Sequence, residues 1–198
     1  MTRVEFYYDF VCPYAYLAHT QIEGVCARVG ADLVWKPFLL GGIFKALGLP
    51  AVPANTMPPS KARLLSLDQR RWAEHLGVAL LQPETHPNRT VLALRVALGS
   101  DDVPRASKAL FAAYWVRGED VSRAEVVARA LEQAGFNSAE LLARAASSAI
   151  KDELFARTDE ALAQGIFGAP ACIVTTKSGA RELFWGQDRL DFVERALR

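Results

Sequence analysis

Residues 3–37 read as an apolar strand, a helix and a second strand, and that run leaves few folds open. Residues 3–9 are apolar on both faces, in the manner of a buried strand. A helix is predicted over 13–29: Tyr16, Leu17, Ile22 and Val25 fall near helical spacing, and Gly30 supplies the stop. Ala31 to Pro37 is the second strand. Strands joined through a single helix lie parallel, with a right-handed crossover.

From Phe38 the pattern changes. Residues 39–60 are rich in Gly and Pro, with at most a short helix at Ile43 to Leu47. A structureless stretch of this length usually carries a function, and Lys45 and Asn55 are its most useful polar groups. Residues 60–165 are almost wholly helical. Leu65, Trp72 and Leu76 share one face before Gly77; Val91, Leu94 and Leu98 share another; Leu110, Phe111, Tyr114 and Trp115 make a strong apolar stripe. Ser122 with Glu125, and Asn137 with Glu140, are capping-box pairs, and a last helix spans 147–164. The chain then returns to strands at 171–176 and 182–185, joined by a turn at 177–179, and Gly186-Gln187-Asp188 caps a final helix. Strand-helix-strand, a helical block, then strand-strand-helix describes an α/β chain: a thioredoxin fold with an all-helical insertion domain. The expected thioredoxin-like domain is residues 1–59 with 165–198, and the insertion is 60–164.

Composition narrows the function classes. Half of the 198 residues (51%) are hydrophobic, enough for a real core, and a formal net charge of +1 argues against a nucleic-acid or membrane-surface binder. The three cysteines, Cys12, Cys26 and Cys172, have neither CxxC nor metal-ligand spacing, so a disulfide framework and a metal centre are not expected. No signal peptide and no apolar run of about 18 residues is visible, which predicts a soluble protein of a reducing compartment, the cytoplasm.

Chemistry is expected first at Cys12. A cysteine between strand and helix meets free backbone N–H groups and the positive end of the helix dipole, which lower a thiol's pKa. Pro13 suits the first helical position. Position 15 is Ala15, so a dithiol pair with Cys12 is missing. In a thioredoxin fold the proline of GIFGAP, Pro170, is cis and lies against this helix start. Its geometry exposes the backbone of Ala169 to an extended peptide. The WGQD turn, residues 185–188, converges on the same place. Cys26 and Cys172 read as core. His19 and His75 read as helix-surface residues, and His86, between Thr85 and Pro87, has the better case for a role.

FYYDFVCPYAYLA, LLGGIFKALG, GIFGAP and FWGQDRL together resemble 2-hydroxychromene-2-carboxylate isomerases and the related kappa-class glutathione transferases, of the DsbA-like branch of the thioredoxin superfamily. The resemblance implies glutathione as cofactor. The family's usual motif is S-P-[YF]-S-[YW]-L, with the serine hydroxyl on the glutathione sulfur, and Cys12 takes that serine's place. The backbone of Ala169 would pair with the cysteinyl part, Gln187 and Asp188 would hold the γ-glutamyl end, and Pro170, Trp185 and Gly186 would complete the glutathione site. Lys45, Asn55, His86 and Asn88 would meet the substrate, a small aromatic carboxylate, with Lys45 also reaching glutathione. The implied reaction is reversible thiolate addition, rotation about the resulting single bond, and elimination, carried out by a homodimer. The alternatives are a kappa-like glutathione transferase or a monothiol oxidoreductase using Cys12, or a non-catalytic peptide-binding module built on Ala169.

Overall fold

The computed structural model describes residues 2–198, apart from the side chain of Ala54. Helix α1 (Pro13–Val29) starts and stops where local chemistry dictates. Pro13 takes the first position behind an extended Cys12, and Gly30 ends the helix at φ 64°, a left-handed conformation that glycine adopts freely. Strands β1 (Arg3–Tyr8) and β2 (Asp32–Pro37) flank it and pair in parallel. Strand β3 (Ala171–Thr175) pairs antiparallel with β1, and β4 (Arg181–Trp185) with β3, in the order β2-β1-β3-β4.

The two faces of this sheet differ sharply. Val4, Phe6 and Tyr8 are fully buried on one face, where Trp35 and Phe111 pack edge-on or tilted against the β1 rings. Glu5 and Tyr7 point to the other. There Lys36 Nζ lies 2.9 Å from Glu160 and 3.4 Å from Glu5, while Arg181 bonds Glu5 at 2.7 Å and the Tyr7 hydroxyl donates to Glu160. Charges this deep persist because each has a partner.

Between β2 and β3 lie helices α2 (Leu40–Ala46), α3 (Pro59–Leu76), α4 (Val91–Leu98), α5 (Val103–Phe111), α6 (Ala124–Gln133), α7 (Ser138–Ala146) and α8 (Ser148–Ala163). Helix α9 (Leu190–Leu197) follows β4. One cluster of buried side chains runs from β1 and α1 through α4 to α7.

Several expectations are corrected. The short helix of the Gly/Pro-rich stretch begins at Leu40 rather than Ile43, because the Asp9 carboxylate, 31 residues upstream, accepts the Leu40 N–H at 2.9 Å. A 3-10 turn, Pro53–Thr56, follows. Asn137 caps α7 as expected, but Ser122 caps nothing: the Asp120 carboxylate takes its N–H, and α6 opens after Arg123. The apolar stripe at 110–115 is not one α-helix. It widens into a π turn over Ala112–Val116. A 3-10 turn, Gln187–Arg189, separates Gly186 from α9. His19 is not a surface residue. Its ring stacks on Phe111 with centroids 4.5 Å apart, and burial pushes its pKa down to about 4.

Candidate active site

Asp9 organises the strand end from which the site is built. It is buried, and each of its oxygens is used. Oδ1 accepts from the Thr90 hydroxyl at 2.6 Å and the Val11 N–H at 3.2 Å, and Oδ2 accepts from the Leu40 N–H. Burial raises its pKa, and these bonds offset that only in part. Its backbone carbonyl accepts the Cys12 N–H at 3.1 Å. One carboxylate thus ties β1, α2 and the start of α4 around the Cys12 turn.

Cys12 is only 8% exposed, and its thiol donates to the Ala169 carbonyl at 3.1 Å. The Ala169–Pro170 peptide is cis, as expected. The thiol itself behaves against expectation. Burial pushes its pKa up to about 12; the N–H groups of Ala15 and Tyr14 pull the other way, and the Asp9 charge adds to the rise. A helix N-terminus typically stabilises a neighbouring anion by ~0.3–1 kcal/mol, too little to restore what removal from water costs a thiolate. Cys12 is a protonated hydrogen-bond donor in this protein.

Beside it opens a cavity of about 510 Å³. Helix α2 and the turn after it contribute Leu40, Phe44, Val52 and Pro53, and α3 contributes Leu65, Ser66 and Gln69. The segment before α4 adds Gln82, His86 and Pro87; Phe167, Ala169 and Trp185 complete the wall. Trp185, 51% exposed, packs on Phe167 with ring centroids 4.9 Å apart. Gly168 permits this: a Cβ there would stand 2.7 Å from the indole Nε1. The walls are mostly apolar, with polar groups few and separated, the usual composition of a small-molecule site.

Four of the residues singled out in the sequence, Cys12, His86, Ala169 and Trp185, line this cavity. Pro170 accepts the Gly186 N–H at 3.0 Å, which ties β4's end to the cis-proline loop. Gln187 is buried in the turn that follows, and Asp188 pairs with Arg189 at 2.7 Å. Lys45 and Asn55 are exposed and outside the cavity wall: Ile43 and Phe44 take the inward positions of α2, which turns Lys45 to solvent. Asn88 is buried behind the wall, where its N–H donates to the Tyr114 hydroxyl at 3.1 Å and its side-chain nitrogen has no partner among the described residues.

Sequence reasoning missed Asp9, Tyr114, Phe167 and Tyr14, which also lines the cavity. A lone acid inside the aromatic run FYYDF was the one available signal, since such a group must be partnered if buried. Tyr114 read as ordinary core. Cys26 and Cys172 are buried core, as expected.

A cysteine-proline helix start facing a cis-proline loop across a four-stranded mixed sheet defines a thioredoxin-fold protein of the DsbA-like kind. A family model described as a DSBA-like thioredoxin domain matches residues 3–198, and the chain belongs to that family. It is 28% identical to a 2-hydroxychromene-2-carboxylate isomerase of Sphingobium xenophagum, covering 100% of this chain and 99% of that protein. It is 26% identical to glutathione S-transferase kappa 1 of Caenorhabditis elegans, covering 100% and 92%. A solved 2-hydroxychromene-2-carboxylate isomerase structure shares the fold with a TM-score of 0.83 at 23% identity, covering 98% of this chain and 94% of that one. The expected fold and the resemblance to both groups are borne out.

Proposed function

We propose that this protein is a glutathione-dependent isomerase of 2-hydroxychromene-2-carboxylate or a similar unsaturated aromatic carboxylate. The observation that carries the proposal is the junction at the cavity's edge, where the Cys12 thiol, held protonated, meets the Ala169 backbone. The residues present fit glutathione. Ala169 lines the cavity, and its N–H has no partner among the described residues, as an extended cysteinyl unit requires. Cys12 is a donor suited to a neighbouring thiolate, the part a serine hydroxyl plays in the family's motif. The names of the Sphingobium and Caenorhabditis relatives add support.

When bound, glutathione supplies the thiolate nucleophile. The chain's residues do the rest. The one Cys12 S–H, given to the Ala169 carbonyl in this structure, would turn to the negative sulfur and stabilise it, and the N-terminus of α1 adds its dipole. Apolar walls from α2, α3 and Trp185 keep water from the unsaturated substrate. The setting implied is a reducing, glutathione-containing compartment such as the cytoplasm. Monothiol exchange through Cys12 is the weaker reading, because the thiol holds its proton far above neutral pH and Ala15 offers no resolving sulfur.

Turnover of 2-hydroxychromene-2-carboxylate with and without glutathione tests the proposal. Glutathione-dependent isomerisation is expected. Equal rates without glutathione, or no turnover of chromene carboxylates, would refute it.

A further inference from the structure

His86 is one of the residues that line the cavity, and its ring is bonded to Tyr114. Its Nδ1 stands 2.7 Å from the Tyr114 hydroxyl, which also receives the Asn88 N–H at 3.1 Å. Tyr114 is fully buried, and its hydroxyl makes no other hydrogen bond among the described residues. Two arrangements of protons are conceivable. If His86 Nδ1 carried the hydrogen, the phenol oxygen would accept twice and its own proton would be buried without an acceptor. If Nδ1 is bare, the phenol donates to it, accepts from Asn88, and every group is satisfied. Buried polar groups are overwhelmingly satisfied in folded proteins, which selects the second arrangement. Burial also lowers the pKa of His86, so the ring is neutral, and it raises that of Tyr114, so the phenol keeps its proton. The rings of Tyr114 and Trp115 pack against the imidazole and hold its plane.

From this geometry we infer that Tyr114 is a positioning residue that fixes His86 as the Nε2–H tautomer, so that His86 serves as a hydrogen-bond donor to an acceptor oxygen of the substrate. Nε2 has no protein partner among the described residues and is not sealed from solvent, on a residue that lines the cavity. A substrate carboxylate, carbonyl or phenolate oxygen suits such a donor, whereas an N–H or ammonium group does not. The π turn over Ala112–Val116 supplies the geometry: successive residues Tyr114 and Trp115 both turn inward, the first to His86 and Asn88, the second to the Phe10 carbonyl at 2.8 Å. The identity of the acceptor rests on the function proposed above; the tautomer does not.

Nitrogen-15 NMR of histidine-labelled protein tests both parts. The chain has three histidines, and His86→Gln assigns the signals of the one in question. The expected spectrum has a pyridine-like Nδ1 and a protonated Nε2 for His86, and Tyr114→Phe shifts that pattern toward a tautomer mixture. A protonated Nδ1 in the native protein, or a pattern unchanged in a folded Tyr114→Phe variant, overturns the tautomer assignment. Adding 2-hydroxybenzoate, an aromatic carboxylate probe, is expected to shift the His86 Nε2 signal, and an unmoved signal at saturation overturns the donor role. In turnover, His86→Leu is expected to lower kcat/KM about tenfold, the value of one hydrogen bond, with His86→Gln recovering most of it. Equal losses in the two variants also overturn the donor role. Absence of turnover in the native protein counts against the proposed function and leaves the NMR result standing.

Discussion

The Cys12 thiol is expected to stay protonated well past neutrality, and its reactivity profile measures that directly. A pKa moved from 9.0 to about 12 corresponds to roughly 4 kcal/mol against the thiolate, at about 1.36 kcal/mol per pH unit. At neutral pH the thiolate fraction is then on the order of one in 10⁵, against about one in 100 for an exposed thiol. Alkylation runs through the thiolate, so the rate at Cys12 should keep rising about tenfold per pH unit above pH 9.0, where an exposed thiol levels off. Short iodoacetamide pulses at stepped pH, resolved peptide by peptide by mass spectrometry, separate Cys12 from the equally buried Cys26 and Cys172. The shape of the profile is diagnostic rather than the absolute rate, which steric burial also slows. The same shift carries a stability effect of known sign. Because the folded pKa is the higher one, the contribution is complete below pH 9.0 and is lost as pH rises toward 12. A rate that levels off at or below pH 9.0 would refute the claim that burial outweighs the helix dipole, and would revive Cys12 as a redox nucleophile.

Asp9→Asn keeps an acceptor for Thr90 and Val11 but turns an amide NH₂ against the Leu40 N–H. A loss of ~1–3 kcal/mol is expected in urea unfolding, seen as a lower midpoint at unchanged slope. Lys36→Met removes the cation shared by Glu5 and Glu160 and should cost roughly 3 kcal/mol, less if Arg181 and Arg157 compensate. Burial raises the Glu160 carboxyl, but the bond and charge of Lys36, with Tyr7 and Arg157, outweigh it and hold the pKa below 4.5. That stability is present above pH 4.5 and lost as pH falls through the folded value, so Lys36→Met should flatten the acid limb of the stability profile.

Much of the fold was legible because its signals are local. Pro13 and Gly30 bound α1, Asn137 starts α7 and Ser147 starts α8, each acting within one turn of chain. The features that were not legible depend on contacts distant in sequence. Helix α2 begins at Leu40 because of a carboxylate on the end of β1. His19 is half-buried because Phe111 packs on it from another helix, and Tyr114 reads as core because nothing in the sequence shows a histidine 28 residues upstream meeting its hydroxyl.

From the sequence alone follow the order of elements, the thioredoxin-like plan and the convergence of Cys12, Ala169 and Trp185, since these rest on periodicity, turn chemistry and motifs in series. Only the tertiary structure decided that the Cys12 thiol keeps its proton, that Lys45 and Asn55 stand outside the cavity, and that Tyr114 stands behind His86. Desolvation and long-range hydrogen bonding are properties of the packed molecule, and no local run of residues encodes them.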